Sequence, residues 1–307
     1  MESQHVNPIL SDSMVRTSEV EAEPLISVVV AVFNGVETLM RCIDSVSRQT
    51  YKKNELIVID GGSVDGTRDL IESKSQHIAY WESERDQGIY HAWNKALLHV
   101  KGEWICFLGA DDYLWDREVL GRIASRLSVI GTSVRVVYGQ VNLVNENGGV
   151  LGTFGKRWCE LRSSFLAGEA LNIHQATFHH RSLFERYGRF DESFRIAGDY
   201  ELLLRELQNN EALYVPCVVT AMQHGGISSN PSSKAATIKE IIRARGMHGL
   251  ALSLNLVAAW LRANIHAVLY RVAGQRVSSV AADMYRLLTG KRRLWTKNET
   301  GQDGVPK

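Results

Sequence analysis

Short apolar runs alternate with helix-period stretches along the first part of the chain. Ile26 to Val32 (ISVVVAV) and Glu55 to Asp60 (ELIVID) are runs of the kind found in strands buried on both faces of a parallel sheet. Between them, Thr38 to Arg48 places its apolar residues on one side of a helix. This order predicts a strand, a helix and a second strand.

The same alternation continues further along. It predicts a helix over Thr67 to Ser73, an edge strand near Ile78 to Trp81, a helix over Gly88 to Val100 and a buried strand over Glu103 to Leu108. Strands that alternate with helices predict an α/β fold with a mostly parallel sheet between helices. Because ligands bind such sheets beyond the carboxyl ends of the strands, we expect Asn34, Asp60 and Asp111 to meet at one crevice.

The second half of the chain mixes strands and helices. It predicts a hairpin over Val134 to Phe154, a strand over Gln175 to His179, helices near Arg181 to Tyr187 and Tyr200 to Asn209, and a strand over Ala212 to Val219. The pattern is helical after Lys234. We therefore expect a flexible leader over residues 1–24, an α/β domain over 25–232 and a helical, basic C-terminal region over 233–307.

Composition excludes several classes of protein. The chain has 307 residues, with 35 basic and 34 acidic side chains, and 45% of its residues are hydrophobic. This composition disfavours a disordered protein, and we expect no nucleic-acid partner. The charge is uneven, however, since residues 1–23 hold five acids and one base and residues 243–307 hold eleven bases and three acids. A basic end of this kind either meets anionic lipid or phosphate or stays solvated.

The C-terminal apolar stretch predicts an amphipathic helix. Polar residues interrupt Gly249 to Val272, so we expect no transmembrane helix, and the polar leader does not resemble a signal peptide. Apolar residues recur at intervals of three and four: Leu250, Leu254, Val257, Leu261, Ile265 and Val268. With the basic segment Lys291 to Trp295, this region over 249–295 either contacts a membrane surface or packs on its own domain or a second subunit.

Acidic side chains follow two of the predicted strands. Asp60, followed by Gly61, ends one strand, where a carboxylate can accept hydrogen bonds from a nucleobase or a ribose, or simply close a tight turn. Asp111 and Asp112 follow another strand and would repel each other unless a cation lay between them. Carboxylate oxygens suit Mg²⁺ or Mn²⁺, although paired acids also occur in solvated turns.

Three further residues are candidates for chemistry. Asp199 lies at a predicted helix start, where it is either a helix cap or a general base. Lys95 either reaches a phosphate or lies on the surface. Among several scattered histidines, only His224 is a candidate for touching a metal or a phosphate. The four cysteines have no C-x-x-C spacing, which argues against a zinc site and indicates a reducing compartment.

Six segments, read in order, resemble a family 2 glycosyltransferase of the GT-A fold. They are ISVVVAVFN, ELIVIDGGSVDGT, SERDQGIYHAWNKAL, GEWICFLGADD, GDYELLLR and GGISS, and they span roughly Leu25 to Ser229. The resemblance implies inverting transfer from a nucleotide sugar, usually a UDP-sugar, to an acceptor hydroxyl. The acceptor in this family is often a lipid-linked oligosaccharide in the synthesis of O-antigen, capsule or exopolysaccharide.

The resemblance also implies roles for particular residues. Asp60 matches the acid that contacts the nucleobase, and Asp86 matches an acid near the donor sugar or the ribose. Asp111 and Asp112 occupy the metal-binding D-x-D position, with Asp112 as the direct ligand, and Asp199 matches the catalytic base. The chain departs from the family pattern at three places, which are the segment Ala31 to Asn34, His91, and Ala110 in place of the first acid of the triplet.

Two alternatives stay open at this point, a sugar nucleotidyltransferase and a module that binds nucleotide sugars without catalysis. The first would need a glycine-rich basic loop after the first strand, which the chain lacks. We expect a cytoplasmic enzyme at the cytoplasmic face of the inner membrane. The sequence leaves the sugar, the acceptor and the oligomeric state open.

Overall fold

The computed structural model describes residues 23–131, 133–145, 147–169, 174–223 and 231–265, and single positions between 268 and 287. The strands in this part of the chain are β1 (Ile26–Val32), β2 (Asn54–Asp60), β3 (Tyr80–Ser83), β4 (Trp104–Gly109), β5 (Tyr113–Leu114), β6 (Val136–Val144), β7 (Val150–Phe154), β8 (Thr177–His180) and β9 (Leu213–Gln223). The helices are α1 (Val36–Ser47), α2 (Thr67–Ser73), α3 (Ile89–Ala96), α4 (Val119–Leu127), α5 (Trp158–Leu166), α6 (Arg181–Tyr187), α7 (Gly198–Leu207) and α8 (Pro231–Met247).

These strands form one mixed sheet, in the order β3-β2-β1-β4-β8-β6-β9-β5, with β7 paired to β6. The first four strands of this order are parallel to one another, and β8 runs antiparallel to both β4 and β6. Strands β6 and β9 are again parallel. The predicted fold class, a mostly parallel sheet between helices, is confirmed.

The parallel strands are buried on both faces because alternate residues pack against different helix layers. Val29 of β1 lies in one apolar cluster with side chains of α3, α7 and α8. Val28 and Val30 of the same strand lie in a second cluster with side chains of α1, α2 and α4. The continuous apolar pattern of β1 therefore reflects a sheet covered on both sides.

Most predicted elements are present, with shifted ends. Helix α3 stops at Ala96, and beyond it the backbone N–H groups of Leu98 and His99 donate to the carbonyls of Lys95 and Ala96, three residues back, as in a turn. The hairpin of β6 and β7 is confirmed. Helices α4 and α5 and the short strand β5 were not predicted from the sequence.

A buried asparagine joins α3 to the loop that leads into α7. The Asn94 amide donates to the backbone carbonyl of Phe190 at 2.9 Å and to the carboxylate of Glu192 at 2.8 Å. Its carbonyl oxygen accepts from the backbone N–H of Phe190 at 3.0 Å. The loop before α7 is thus fixed to the helix that follows Asp86.

The described part of the C-terminal region packs on the α/β core. Ile238 and Ile241 of α8 are buried in the same apolar cluster as α3 and α7. A further helix over residues 254–265 buries Leu256 and Ala263, whereas Leu254 is 85% exposed. No helix in the described part of the chain is both long enough and apolar enough to cross a bilayer. Residues 1–22 of the predicted leader over 1–24, and the segment Lys291 to Trp295, lie outside the described residues.

Candidate active site

Asp60 is buried where two neighbouring strands end together. It pairs with Val32 of β1 and Ser83 of β3 in the sheet register. Its carboxylate accepts hydrogen bonds from the backbone N–H and the hydroxyl of Ser63 and, at 2.6 Å, from the hydroxyl of Ser83. The side chain is 0% exposed, so in this structure Asp60 orders the loop that follows β2.

Gly61 allows Asp86 to approach the end of β2. A Cβ atom at Gly61 would lie 2.7 Å from a carboxylate oxygen of Asp86. The other oxygen of Asp86 accepts from the backbone N–H of Gly88 at 3.0 Å, directly before α3. Three of the predicted donor residues, Asp60, Gly61 and Asp86, therefore lie together.

Asp111 and Asp112 converge on a point above Gly109. A Cβ atom at Gly109 would lie 2.8 Å from one oxygen of each carboxylate. Asp112 is 5% exposed, and its carboxylate accepts from the backbone N–H of Gln223 at 3.2 Å. Burial, and secondarily the charge of Asp111, raises the pKa of Asp112 to about 7.

This pair fits a divalent cation. Two carboxylate oxygens that face one point offer the hard donors Mg²⁺ and Mn²⁺ prefer, and a cation would relieve the repulsion that raises the pKa of Asp112. Among the described residues there is no cluster of three or more His, Cys, Asp or Glu side chains that could hold a metal. The predicted ligand His224 lies outside the described residues.

Arg41 of α1 lies beside the acidic pair. Its guanidinium donates to the backbone carbonyl of Asp111 at 3.1 Å and to the side chain of Gln223 at 2.6 Å, and it lies 4.3 Å from the centre of the Tyr113 ring. Its charge opposes the rise in the pKa of Asp112. Arg41 therefore places a fixed positive charge at this end of the site.

Asp199 lies at the start of α7 against Tyr90 of α3. The Tyr90 hydroxyl donates to the Asp199 carboxylate at 3.3 Å and accepts from the backbone N–H of Gly198 at 2.8 Å. A Cβ atom at residue 198 would lie 2.8 Å from the Tyr90 ring, so glycine is needed there for this contact. Asp60, Gly61 and Asp86 form what we call the donor cluster. Because α3 starts just after Asp86, Tyr90 of α3 links this donor cluster to Asp199.

The surroundings of Asp199 suit a base that works near neutral pH. Burial raises its pKa to about 6, and the hydrogen bonds from the Tyr200 backbone and the Tyr90 hydroxyl oppose the rise. The side chain is still 21% exposed, so a hydroxyl group can reach it. The ring of His174 lies 4.0 Å away, and burial lowers the pKa of His174 to about 3, which keeps it neutral.

Lys95 points to two glutamates in this structure. Its ammonium group contacts the carboxylate of Glu82 and lies 3.9 Å from that of Glu84. The predicted contact of Lys95 with the donor stays a prediction.

Three residues of the site were given no role by sequence reasoning. Tyr90 lies inside the segment DQGIYHAWNK, but its partner Asp199 is 109 positions away in the sequence. Arg41 and His174 belong to stretches without a motif. Only a prediction of which loops meet could have found them.

The mixed sheet, with carboxylates at the ends of its parallel strands and Asp199 at the start of α7, fits a nucleotide-sugar-dependent transferase of the GT-A fold. The family model for "Glycosyl transferase family 2" matches residues 27–188, which is more than half of the chain. The chain belongs to glycosyltransferase family 2. Membership favours this interpretation over a sugar nucleotidyltransferase or a binding module without catalysis.

A curated relative agrees with this family, and solved structures share the fold. A "PGL/p-HBAD biosynthesis glycosyltransferase" of Mycobacterium bovis is 28% identical over 260 residues, covering 81% of this chain and 96% of the relative. The mannosyltransferase PcManGT from Pyrobaculum calidifontis, in complex with GDP-Man and Mn²⁺, has a TM-score of 0.59 at 19% identity, covering 92% of this chain and 83% of that one. S. aureus TarS in complex with UDP has a TM-score of 0.55 at 16% identity, covering 86% and 77%.

Proposed function

We propose that this glycosyltransferase moves a sugar from a UDP-sugar to an acceptor hydroxyl with inversion, and that Asp199 is the general base. The observation that carries the proposal is the Asp199 carboxylate, partly exposed, held by Tyr90 and given a pKa of about 6 by burial. A base with this pKa is ionised at neutral pH and still accepts a proton readily.

In the proposed step, the acceptor hydroxyl gives its proton to the Asp199 carboxylate. The acceptor oxygen forms a bond with the anomeric carbon, while the bond from that carbon to the diphosphate oxygen breaks and the nucleoside diphosphate leaves. Attack from the face opposite the diphosphate inverts the configuration. One carboxylate is enough for this reaction, whereas hydrolysis of a glycoside uses two.

The donor would bind at the end of β2. Asp60, Gly61 and Asp86 lie together there, and the ring of Phe33 is 65% exposed just after β1, where it offers a stacking face to a base. The TarS structure with UDP supports a uridine nucleotide as the donor. The ordered serine contacts of Asp60 would place this loop before the nucleotide arrives.

Asp111 and Asp112 would hold a Mg²⁺ or Mn²⁺ ion at the diphosphate. Such an ion neutralises the negative charge that grows on the departing diphosphate. The convergence of the two carboxylates above Gly109 supports this assignment, as does the Mn²⁺ in the Pyrobaculum structure. Arg41 keeps the pair anchored, because it binds the backbone of Asp111 and the side chain of Gln223.

The acceptor would be a lipid-linked saccharide of a cell-surface polysaccharide, met at the cytoplasmic face of the inner membrane. Support comes from the helix over residues 254–265, where Leu254, Leu261 and Ile265 are 85%, 50% and 59% exposed. An exposed apolar face next to a basic chain segment fits an anionic membrane surface. Contact of the region over 249–295 with the membrane would bring the site to its acceptor.

A screen of UDP- and GDP-sugars tests the reaction without an acceptor. Each donor is incubated with the full chain and Mn²⁺ or Mg²⁺, and the release of nucleoside diphosphate is measured. We expect slow release from one or a few UDP-sugars that stops when EDTA is added. Release from GDP-sugars alone would overturn the choice of uridine, and release that is unchanged by EDTA would overturn the metal.

A further inference from the structure

A side chain of the C-terminal region binds the backbone just before the catalytic helix. The Glu240 carboxylate, on α8, accepts from the backbone N–H groups of Arg195 at 3.0 Å, Ile196 at 2.9 Å and Ala197 at 2.9 Å. Helix α7 begins at the next residue, Gly198. Backbone N–H groups that lead into a helix have no partner within it, and a carboxylate at this end is also favoured by the helix dipole.

One turn further along α8, a second side chain holds the same loop. The Arg243 guanidinium donates to the hydroxyl and the carbonyl of Ser193 and lies 4.2 Å from the centre of the Phe194 ring. It also lies 3.6 Å from the carboxylate of Asp191. Residues three apart share a face of a helix, so Glu240 and Arg243 bind consecutive parts of one loop, residues 191–197.

The loop that Glu240 and Arg243 bind ends at Ala197, two residues before Asp199. A shift of its backbone would move the Asp199 carboxylate against Tyr90, whose hydroxyl touches both Gly198 and Asp199. The charged and titratable groups that face Asp199 are Tyr90 from α3, His174 from the turn before β8, and Glu240 from α8. Of these, Glu240 binds the backbone of residues 195–197, and Tyr90 binds both the backbone of Gly198 and the carboxylate of Asp199.

We propose that Glu240 is a positioning residue for Asp199: its carboxylate fixes residues 195–197 and thereby the direction of the catalytic carboxylate. This inference rests on the proposed function of Asp199 as the base. It makes α8 part of the active site, although the matched family segment ends at residue 188. Helix α8 also leads toward the helix over residues 254–265 that carries the exposed apolar face, so α8 lies in the chain between that face and the loop it holds before the catalytic base.

The test compares Glu240→Ala and Glu240→Gln with Lys239→Ala, a change at the exposed neighbour on α8. Hydrogen exchange followed by mass spectrometry reports on the peptide over residues 191–204. We expect faster exchange at 195–197 in Glu240→Ala, a smaller change in Glu240→Gln, which keeps an oxygen acceptor, and none in Lys239→Ala. Exchange in the β1 and β4 peptides should match the wild type, which separates this effect from global unfolding.

Kinetics on the donor found by the screen give the second readout. We expect kcat of Glu240→Ala to fall by about 10- to 100-fold with unchanged affinity for UDP and Mn²⁺, because misplacing a catalytic group costs turnover and not binding. In Glu240→Gln the loss of a negative charge near Asp199 should move the acid limb of kcat to lower pH. Lys239→Ala should keep the wild-type profile.

Wild-type exchange at 195–197 in Glu240→Ala would overturn the proposal. So would faster exchange there with kcat and the pH midpoint both unchanged, since Glu240 would then only hold α8 in place. Asp199→Asn is measured in parallel, and full activity of that variant would overturn the base assignment instead. In that case, titration of the Asp199 carboxyl by ¹³C NMR in wild type and Glu240→Gln still decides whether Glu240 acts on Asp199.

Discussion

The Tyr90 hydroxyl lies between Gly198 and Asp199, accepting from the backbone of one and donating to the carboxylate of the other. Tyr90 is 3% exposed, and burial raises its own pKa well above the ordinary value, so it stays a donor at any pH used for assay. A neutral donor to a carboxylate favours the ionised form. The contact thus keeps Asp199 available as a base at lower pH than burial alone would allow.

Tyr90→Phe should move the acid limb of kcat to higher pH. The ring that packs against Gly198 is kept, but the hydrogen bond that stabilises the Asp199 carboxylate is lost, so the pKa of Asp199 rises above about 6. The measurement is nucleotide release across pH 5 to 9. Tyr80→Phe, which removes the hydroxyl that donates to Glu82, is the control. An unchanged midpoint in Tyr90→Phe would show that this contact does not tune the base.

Asp199→Asn should lower kcat by about 10²- to 10⁴-fold while the affinity for UDP stays the same. The amide fills the same space but cannot take a proton from the acceptor. Kinetics and calorimetric titration with UDP check the two parts. Asp69→Asn, at an exposed position of α2, should leave both unchanged. An Asp199→Asn enzyme at full speed would refute the base assignment.

The same substitution should alter the dependence of stability on pH. The pKa of Asp199 is about 6 in the folded protein and 3.8 for the same side chain in an unfolded chain, so the folded protein binds the proton more tightly than the unfolded chain does. Stability from this group is complete below about pH 4 and is lost as the pH rises to about 6. The melting temperature of Asp199→Asn minus that of the wild type should therefore be more positive at pH 8 than at pH 4. Calorimetry of both proteins at the two pH values measures this difference.

Mn²⁺ should raise the melting temperature of the wild type and not that of Asp112→Asn. The two carboxylates above Gly109 would bind the ion in the folded state only, and binding to the folded state raises stability. Asp116→Asn, a change in the loop that follows, keeps the acidic pair and should respond to Mn²⁺ as the wild type does. An equal Mn²⁺ effect in Asp112→Asn would place the metal elsewhere.

A triple change of Leu254, Leu261 and Ile265 to Gln should weaken binding to vesicles that contain anionic lipid. These side chains are exposed, so the change removes apolar surface without opening the core. Changing Val150 and Leu151, exposed on β7, to Gln provides the control. Vesicle sedimentation measures both, and equal binding of the triple variant and wild type would exclude this helix as the contact.

The sequence predicted the parallel half of the sheet well because its signals are local. Strands β1 and β2 are continuous apolar runs, and α2 matches its predicted bounds. Strand β5 has two residues and exists through its pairing with Ala221 and Thr220 of β9, more than a hundred positions away, so no local pattern marks it. Helix α5 buries only Trp158 and Phe165, which leaves little periodicity to detect.

The candidate site was predicted by residue type but not by contact. The sequence placed Asp60 at a strand end, yet its bonds to Ser63 and Ser83 depend on how β3 lies beside β2. Glu240 binds a loop more than 40 positions away, in a region whose sequence indicated only helices. Partners that meet through the tertiary fold leave no spacing signal in the chain.

The contacts of the Asn94 amide affect what a match to its sequence segment means. It belongs to the segment DQGIYHAWNK, through which the chain resembles its family, yet it binds the Phe190 backbone on both sides and no group of the donor cluster. Part of the segment that carries the family resemblance thus serves to join two pieces of the scaffold. A match to this segment in another protein therefore points in part to a shared architecture, because Asn94 joins α3 to the loop before α7 whatever the donor is.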